Sequence, residues 1–516
     1  LPDFSAVGYR QGQTPPEDVA VRREVTPDLA DAAGAAGAIQ AALDAVGQLP
    51  VGPDGFRGAV LLGAGRYEVD RPLRMTRSGV VLRGEGRGED GTVLIATRRD
   101  QHTLIEVSGE GARQSPDGAA VALDDAPMGA DVVRAPGLTG IAEGDRVAVR
   151  MTPNQAWIER LGMDRLRQRH DRARDWRPDQ YQLVYERTAL RVQGDLVQLD
   201  VPLPVAIRAD DGGAVLEPVS FPGRLTNVGV EDLRLVSEYD PAVTREAPMD
   251  HGPVPSDERH GWTAVQLDAV EDAWVRRVTA LHFGGLNFRT GPLARRVSFL
   301  DCEALDPVSR IVGGRRYGFS IGGELTLVQR CRTRNQRHDY AMNYKAPGPN
   351  AFVDCVGERS WNFSEPHHRW ATGVLFDNVV VDGPMAGLVV ADRGTSGTGH
   401  GWAGANVIFW NTDAPLYVLM AAPGTHTLLA GRRGEIDPAT DQYERRIAWF
   451  ADVNGRPPLT EQAPGVLGDG SATLVSPGEP VQPASLYAAQ RAAATGDAQA
   501  AATLRRWTDR LLREAD

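Results

Sequence analysis

At 516 residues, with 42% hydrophobic and 24% charged side chains, the chain is long enough for a large core and unlike a disordered polymer. Its formal net charge of −12 argues against a nucleic-acid binder, which needs a basic footprint, and against a polyanionic substrate unless arginines gather in one cleft. No apolar run approaches the roughly 20 residues that cross a bilayer, and Cys302, Cys331 and Cys355 lack the CxxC spacing of zinc or thioredoxin-type sites.

Along the chain, Gly37–Val46 sets Ile39, Ala42, Leu43 and Val46 on one helical face, which predicts an amphipathic helix able to cover an open sheet edge. GAVLLGAGRYEVDRPLRM, SGVVLRGEGR and TVLIAT then supply short strands separated by turns, and residues 1–110 form the first unit. Residues 111–225 break this rhythm. GDRVAVRM and RTALRVQGDLVQLDVPL predict antiparallel strands with Gly-Asp turns, and the Arg-rich Trp157–Arg177 reads as helix or loop. We read this stretch as an inserted β subdomain. Pro- and His-rich Asp240–His260 is a surface loop within the third unit, 226–457. A fourth unit, 458–516, becomes rich in Pro and Gly and ends in an Ala/Arg-rich helix over Ser485–Glu514.

The third unit carries an internal repeat. SFLDC ending at Cys302, VQRC at Cys331, AFVDC at Cys355, VLFDN at Asn378 and VIFWN at Asn411 superimpose, with the widest gap between the last two anchors. WVRRV ending at Val278 precedes them at a similar spacing, and VEDLRL around Leu233 extends the series. A strand-only repeat this short cannot bury its own apolar face, whereas parallel stacking can. The expected fold is therefore all-β: a parallel β-helix (solenoid) with an N-terminal capping helix, the inserted antiparallel subdomain and a C-terminal helical tail. Rungs about 4.8 Å apart put the three cysteines and then Asn378 and Asn411 on one internal ladder. The thiols should be free, because parallel Cβ vectors suit disulfide torsions poorly.

Two counts locate candidate chemistry. HRWATGVLFDN from His368 matches HGWAGANVIFWN from His400, and counting back from Cys355 sets Tyr344 and Lys345 at the same places one rung earlier. Counting forward, Arg316, Lys345, Arg369 and Asp392 follow Cys302, Cys331, Cys355 and Asn378 at one constant offset. Lys345 and Arg369 thus fall on one line of adjacent rungs, with Tyr344 and His368 on the next. Lys345 is also the only lysine in the chain. A cation beside a carboxylate, a base and an acid are what β-elimination of a uronate requires. Lys345, Arg369, His368 and Tyr344 are the catalytic candidates. Arg316, His338, His367, Asp392, Arg393, His400 and Trp402 are candidates for holding substrate.

DFSAVGYRQG, GAVLLGAGRYEV with SGVVLRGEG, and RHDY, GPNAFVDC, EPHHRWATGVLFDN and GHGWAGANVIFWN resemble right-handed β-helix proteins of the pectate-lyase superfamily. The resemblance implies a right-handed coil, a secreted or periplasmic location and work on a polysaccharide or oligosaccharide. A start at Leu1 rather than methionine suggests a precursor trimmed of an export signal, or a chain shortened in some other way. The Lys/Arg pair resembles the chondroitinase-B and alginate-lyase branch, where a lysine base and an arginine flank a calcium. No match to that branch's calcium ligands is found, so no metal residues are assigned and calcium is left open. The scaffold hosts other activities. A glycoside hydrolase would draw on Asp392, Glu365 and Asp339, and a non-enzymatic glycan-binding solenoid on tryptophans such as Trp361, Trp370 and Trp402. The sequence does not fix the oligomeric state.

Overall fold

The structure is a computed structural model that describes residues 1–28, 34–248, 251–432, 459–463 and 465–514. Its strands are short and rich in branched and aromatic residues, and each pairs in parallel with the strand one rung on. Ser298, Phe299 and Leu300 pair with Leu327, Val328 and Gln329, which pair with Ala351, Phe352 and Val353. These continue into Leu375, Phe376 and Asp377, and then Ile408, Phe409 and Trp410. Among the described residues eighteen strands join in this way, and a separate seven-stranded parallel sheet runs alongside. Parallel strands joined in sequence by crossovers wind right-handedly. The fold is a right-handed parallel β-helix.

Identical side chains stack along the interior. Phe352, Phe376 and Phe409 follow one another at ring separations of 5.1 Å and interplanar angles of 23° and 17°. Leu233 pairs with Val278, and Cys302, Cys331 and Cys355 extend that column as buried free thiols. Each thiol donates to the carbonyl two residues back, at 3.3–3.4 Å.

The asparagines do not continue this line. Val356 pairs with Val380, so Val379 follows Cys355, and Asn378 stands one residue earlier over Asp354. Asp301, Arg330, Asp354, Asn378 and Asn411 form their own column at a corner, with φ between 48° and 55°. Arg330 is bidentate on Asp301 at 2.8 Å, and Asn378 Nδ2 donates to Asp354 Oδ1 at 3.1 Å. Asn and Asp are the non-glycine residues that tolerate this left-handed backbone best. That preference, rather than an interior ladder, places the two asparagines.

The helix Ala35–Gly47 covers the first rungs and buries Ile39, Ala42, Leu43 and Val46. Between Val121 and Pro218 six strands form an antiparallel sheet, and the coil resumes with Leu225–Ser237. The Arg-rich stretch contains the helix Gln155–Arg160, whose N-cap Asn154 accepts from Trp157 N at 2.9 Å, and a short turn Leu166–Arg169. A buried charge network joins the insertion to the coil. Arg224 is bidentate on Glu186 at 2.6 Å, Arg187 meets Glu324 at 3.0 Å, and Glu271 takes Arg146 and Arg295 at 2.6 and 2.8 Å.

Asp240–His260 is more than a loop: Thr244–Glu246 and Pro253–Pro255 pair as a hairpin. The C-terminal helix is two helices, Leu486–Ala494 and Ala498–Glu514, broken around Gly496 at φ 101°. Trp507 packs on Trp410 of the coil at 4.7 Å. The expected junction at 457/458 lies outside the described residues.

A candidate active-site cavity

Three consecutive strands of the seven-stranded sheet, Tyr317–Ile321, His338–Met342 and Glu365–Pro366, bring the polar side chains together. Tyr317 pairs with His338 and Ala341 with Glu365, so His367 leaves the last strand just beyond. The turn 394–401 closes the far side. Gly397 sits at φ 60°, and a Cβ there would lie 2.4 Å from the His400 ring, so only glycine lets that ring pack inward. Gly401, at φ 56°, lets Met163 and Trp176 of the insertion approach in the same way.

The result is a cavity of about 650 Å³ lined by Tyr317, Arg337, Asn343, His367, His368, Arg393 and His400, with glycines, Ser320, Ser396, Leu286 and Met342. Its imidazoles touch one another: His367–His368, His367–His400 and His368–His400 ring centroids are 5.2, 5.5 and 5.0 Å apart. Burial lowers His368 from the usual imidazole range to about 3, helped by His367 and Arg393. Burial first, then neighbouring arginines or histidines, pushes His338, His367 and His400 down as well. These rings are neutral bases at physiological pH. Burial raises the Tyr317 phenol, against the opposing pull of nearby Arg337.

Glu365 lies beneath the lining, its Oε1 2.7 Å from His367 Nδ1, and Tyr317 Oη lies 3.1 Å from His367 Nε2. Arg393 Nη1 donates to Glu365 Oε1 at 3.0 Å and to the His367 carbonyl. His338 Nδ1 donates to Phe363 O at 2.7 Å. His338, Glu365 and His367 are the one group among the described residues with donor atoms close enough to share a metal ion. Two imidazoles and a carboxylate are a zinc-type set, not the six to eight oxygens calcium takes. The Arg393 guanidinium already stands against the same carboxylate, where it supplies the positive charge.

The residues singled out in the sequence divide. His367, His368, Arg393 and His400 line the cavity. Lys345 N donates to Arg369 O at 3.0 Å, so these two stand on adjacent rungs beside it. Their side chains are already engaged. Lys345 Nζ donates to Gln180 O and lies 4.3 Å from the Tyr344 ring, and Arg369 donates to Thr398 and Gly399 carbonyls at 3.0 and 3.1 Å. Tyr344 bridges them to His368, at 5.7 Å between rings.

Four others fall away from the cavity wall. Arg316 stacks with Arg337 rather than with Lys345, and its guanidinium is buried on Ser309 O and Pro255 O. His338 is wholly buried behind Tyr317. Asp392 is enclosed, with one oxygen accepting from Gly394 N at 2.8 Å. Trp402 is buried under the insertion and donates to Leu161 O at 3.1 Å. Tyr317 and Arg337 were not among the expected residues. Aligning RRYGFSI on QRHDYAM, so that Tyr317 meets His338, would have exposed them as a second ladder.

No protein-family model matches the chain, and no curated protein matches it. Solved structures with similar coils include the tailspike protein gp49 from Pseudomonas phage LKA1, at 11% identity and a TM-score of 0.40, covering 78% of this chain and 65% of that one. Polygalacturonase from Erwinia carotovora ssp. carotovora is 10% identical with a TM-score of 0.32, covering 90% of this chain and 98% of that one. A pectin methylesterase in complex with a hexasaccharide is 11% identical with a TM-score of 0.29, covering 81% and 94%. The chain thus spans just under two thirds of the phage tailspike. Among the described residues no helix is long and apolar enough to cross a membrane. What this chain is similar to is a set of parallel β-helix proteins, several of them named for work on saccharides.

Proposed function

We propose that the protein is a polysaccharide lyase that cleaves a uronic-acid-containing glycan by β-elimination in the histidine-lined cavity, outside the cell or in the periplasm. One observation carries this reading. In a chain of net charge −12, the charged side chains lining the cavity are arginines, and no Asp or Glu lines it among the described residues. Such a wall attracts a carboxylate. Arg337 and Arg393 offer the cation that neutralises a sugar carboxylate and so acidifies the proton on the adjacent carbon. Neutral imidazoles beside them supply proton-accepting nitrogens.

Hydrolysis has less support. A glycosidase needs two carboxyl groups flanking the scissile bond, whereas Glu365 lies under Arg393 and Asp339 is enclosed by the Thr333 and Ser360 hydroxyls. The test is to incubate the protein with glucuronan, mannuronan and polygalacturonate and follow ultraviolet absorbance. A rise from the conjugated unsaturated uronate is expected with at least one of them. New reducing ends without that absorbance would replace the lyase reading with a hydrolase.

A further inference from the structure

We propose that Tyr317 moves the proton in this elimination through a hydrogen-bonded chain to His367 and Glu365, and that the sugar taken carries its C5 hydrogen and C4 oxygen on one face. The proposal rests on the lyase reading above. Tyr317 Oη is 3.1 Å from His367 Nε2, and His367 Nδ1 is 2.7 Å from Glu365 Oε1. A carboxylate oxygen accepts, so Nδ1 carries the ring proton, Nε2 presents its lone pair, and the phenol donates to it. Arg393 Nη1 also lies 3.0 Å from Nδ1, but its two protons go to the Glu365 oxygen and the His367 carbonyl, and so pin both partners. The His367 ring is held edge-on to His338 at 4.6 Å and to Tyr317 at 5.5 Å. The order of groups is that of a nucleophile–imidazole–carboxylate triad, in which the acid fixes the tautomer and steadies the imidazolium that forms. The phenol and the His367 ring both line the cavity, with Arg337 beside the phenol and Glu365 buried behind the imidazole.

The step balances without a cofactor. With the sugar carboxylate against the arginines, Tyr317 Oη takes the C5 proton as its own proton passes to His367 Nε2. The C5–H electron pair becomes the C4=C5 double bond, and the C4–O bond breaks with its pair on oxygen. Tyr317 gives its proton to that oxygen, and His367 returns the borrowed one. One phenol oxygen can serve both ends only if hydrogen and leaving oxygen are syn. Gluco- and manno-configured uronates have that relation. Galacturonates, where the two are on opposite faces, would need a second acid across the ring.

Three measurements test this together: unsaturated-product formation on glucuronan, mannuronan and polygalacturonate, the same assays with Tyr317→Phe, and nitrogen NMR of histidine-labelled wild type and Tyr317→Phe. Activity on gluco or manno polymers with a loss of about 10²–10⁴-fold in Tyr317→Phe is expected. The His367 Nε2 resonance should move when its phenol partner is removed. An active wild type with Tyr317→Phe within about fivefold of it overturns the relay and leaves the lyase reading standing. Activity on polygalacturonate alone overturns the syn assignment. A wild type that acts on none of the polymers ends the lyase reading, and an Nε2 resonance unmoved by Tyr317→Phe overturns the relay itself.

Discussion

Two buried clusters of arginine and glutamate sit a few rungs apart, and they are built differently. At the seam between insertion and coil, Glu186, Glu271 and Glu324 are each gripped by arginines, and Arg187 and Arg295 are fully enclosed. Behind the cavity wall Glu365 meets Arg393, and in front of that pair His367, His368 and His400 line the open space as neutral rings. Charge answered by charge holds two layers of protein together, while a pair faced by neutral imidazoles leaves ring nitrogens on the cavity wall.

Three measurements probe that contrast. Arg295→Met removes the cation shared by Glu271 and Glu324, and leaves the buried seam one positive charge short with Arg146 on Glu271 and Arg187 on Glu324. It should cost about 3–5 kcal/mol of stability in urea unfolding, the largest effect expected here. A cost below about 1 kcal/mol would mean the seam is not a clamp.

Acid should act on the two clusters in different windows. The histidines are depressed in the folded state, so below about pH 6.5 the unfolded chain binds protons that the folded one refuses, and stability falls. Each deeply buried ring contributes up to about 1.4 kcal/mol per pH unit, and for His368 this continues down to about 3. Arginines hold Glu186 and Glu271 well below the usual carboxylate range, so their stabilisation is full above about pH 4.3 and lost only as pH falls further. Thermal melts of His368→Gln and wild type should converge between about pH 7 and pH 5, with the variant losing less. Equal slopes would place charged, not neutral, imidazole at that position.

The smallest effect should come from Lys345→Arg. Lys345 tethers the insertion through Gln180 O and rests on Tyr344 and Tyr181. An arginine can keep that role, with stability changed by about 0.5 kcal/mol or less and turnover near that of the wild type. A loss of about 10²-fold or more would return the base assignment to the lysine, since arginine cannot become neutral.

The coil was legible because Cys302, Cys331, Cys355 and Val278 are interior and recur at rung spacing, and burial forces like residues into like places. Asn378 misled by one residue because a corner selects asparagine for its backbone, a demand unrelated to the interior. The cavity was half legible. His367, His368 and His400 stand out as repeated histidines, but Tyr317 and Arg337 belong to another sheet with a shorter offset of its own, invisible from the cysteine anchors. Trp402 and Arg316 went the other way. Trp402 adjoins Trp370 as counted, whereas Arg316 pairs with Arg337 instead of Lys345, and the insertion and the hairpin cover them; a one-dimensional count carries no information about what is folded on top.

The left-handed corner column works as punctuation. From Arg330 to Asp354 and on to Asn378 the phrases are equal in length, yet the phrase from Asn378 to Asn411 is longer, and Trp410 still pairs with Asp377. The additional length is spent in the stretch holding the turn 394–401, without a frame error in the strands on either side. Length between two such marks can change without shifting the strands on either side. The cavity wall can therefore change by editing one turn, while the spelling of the coil stays fixed.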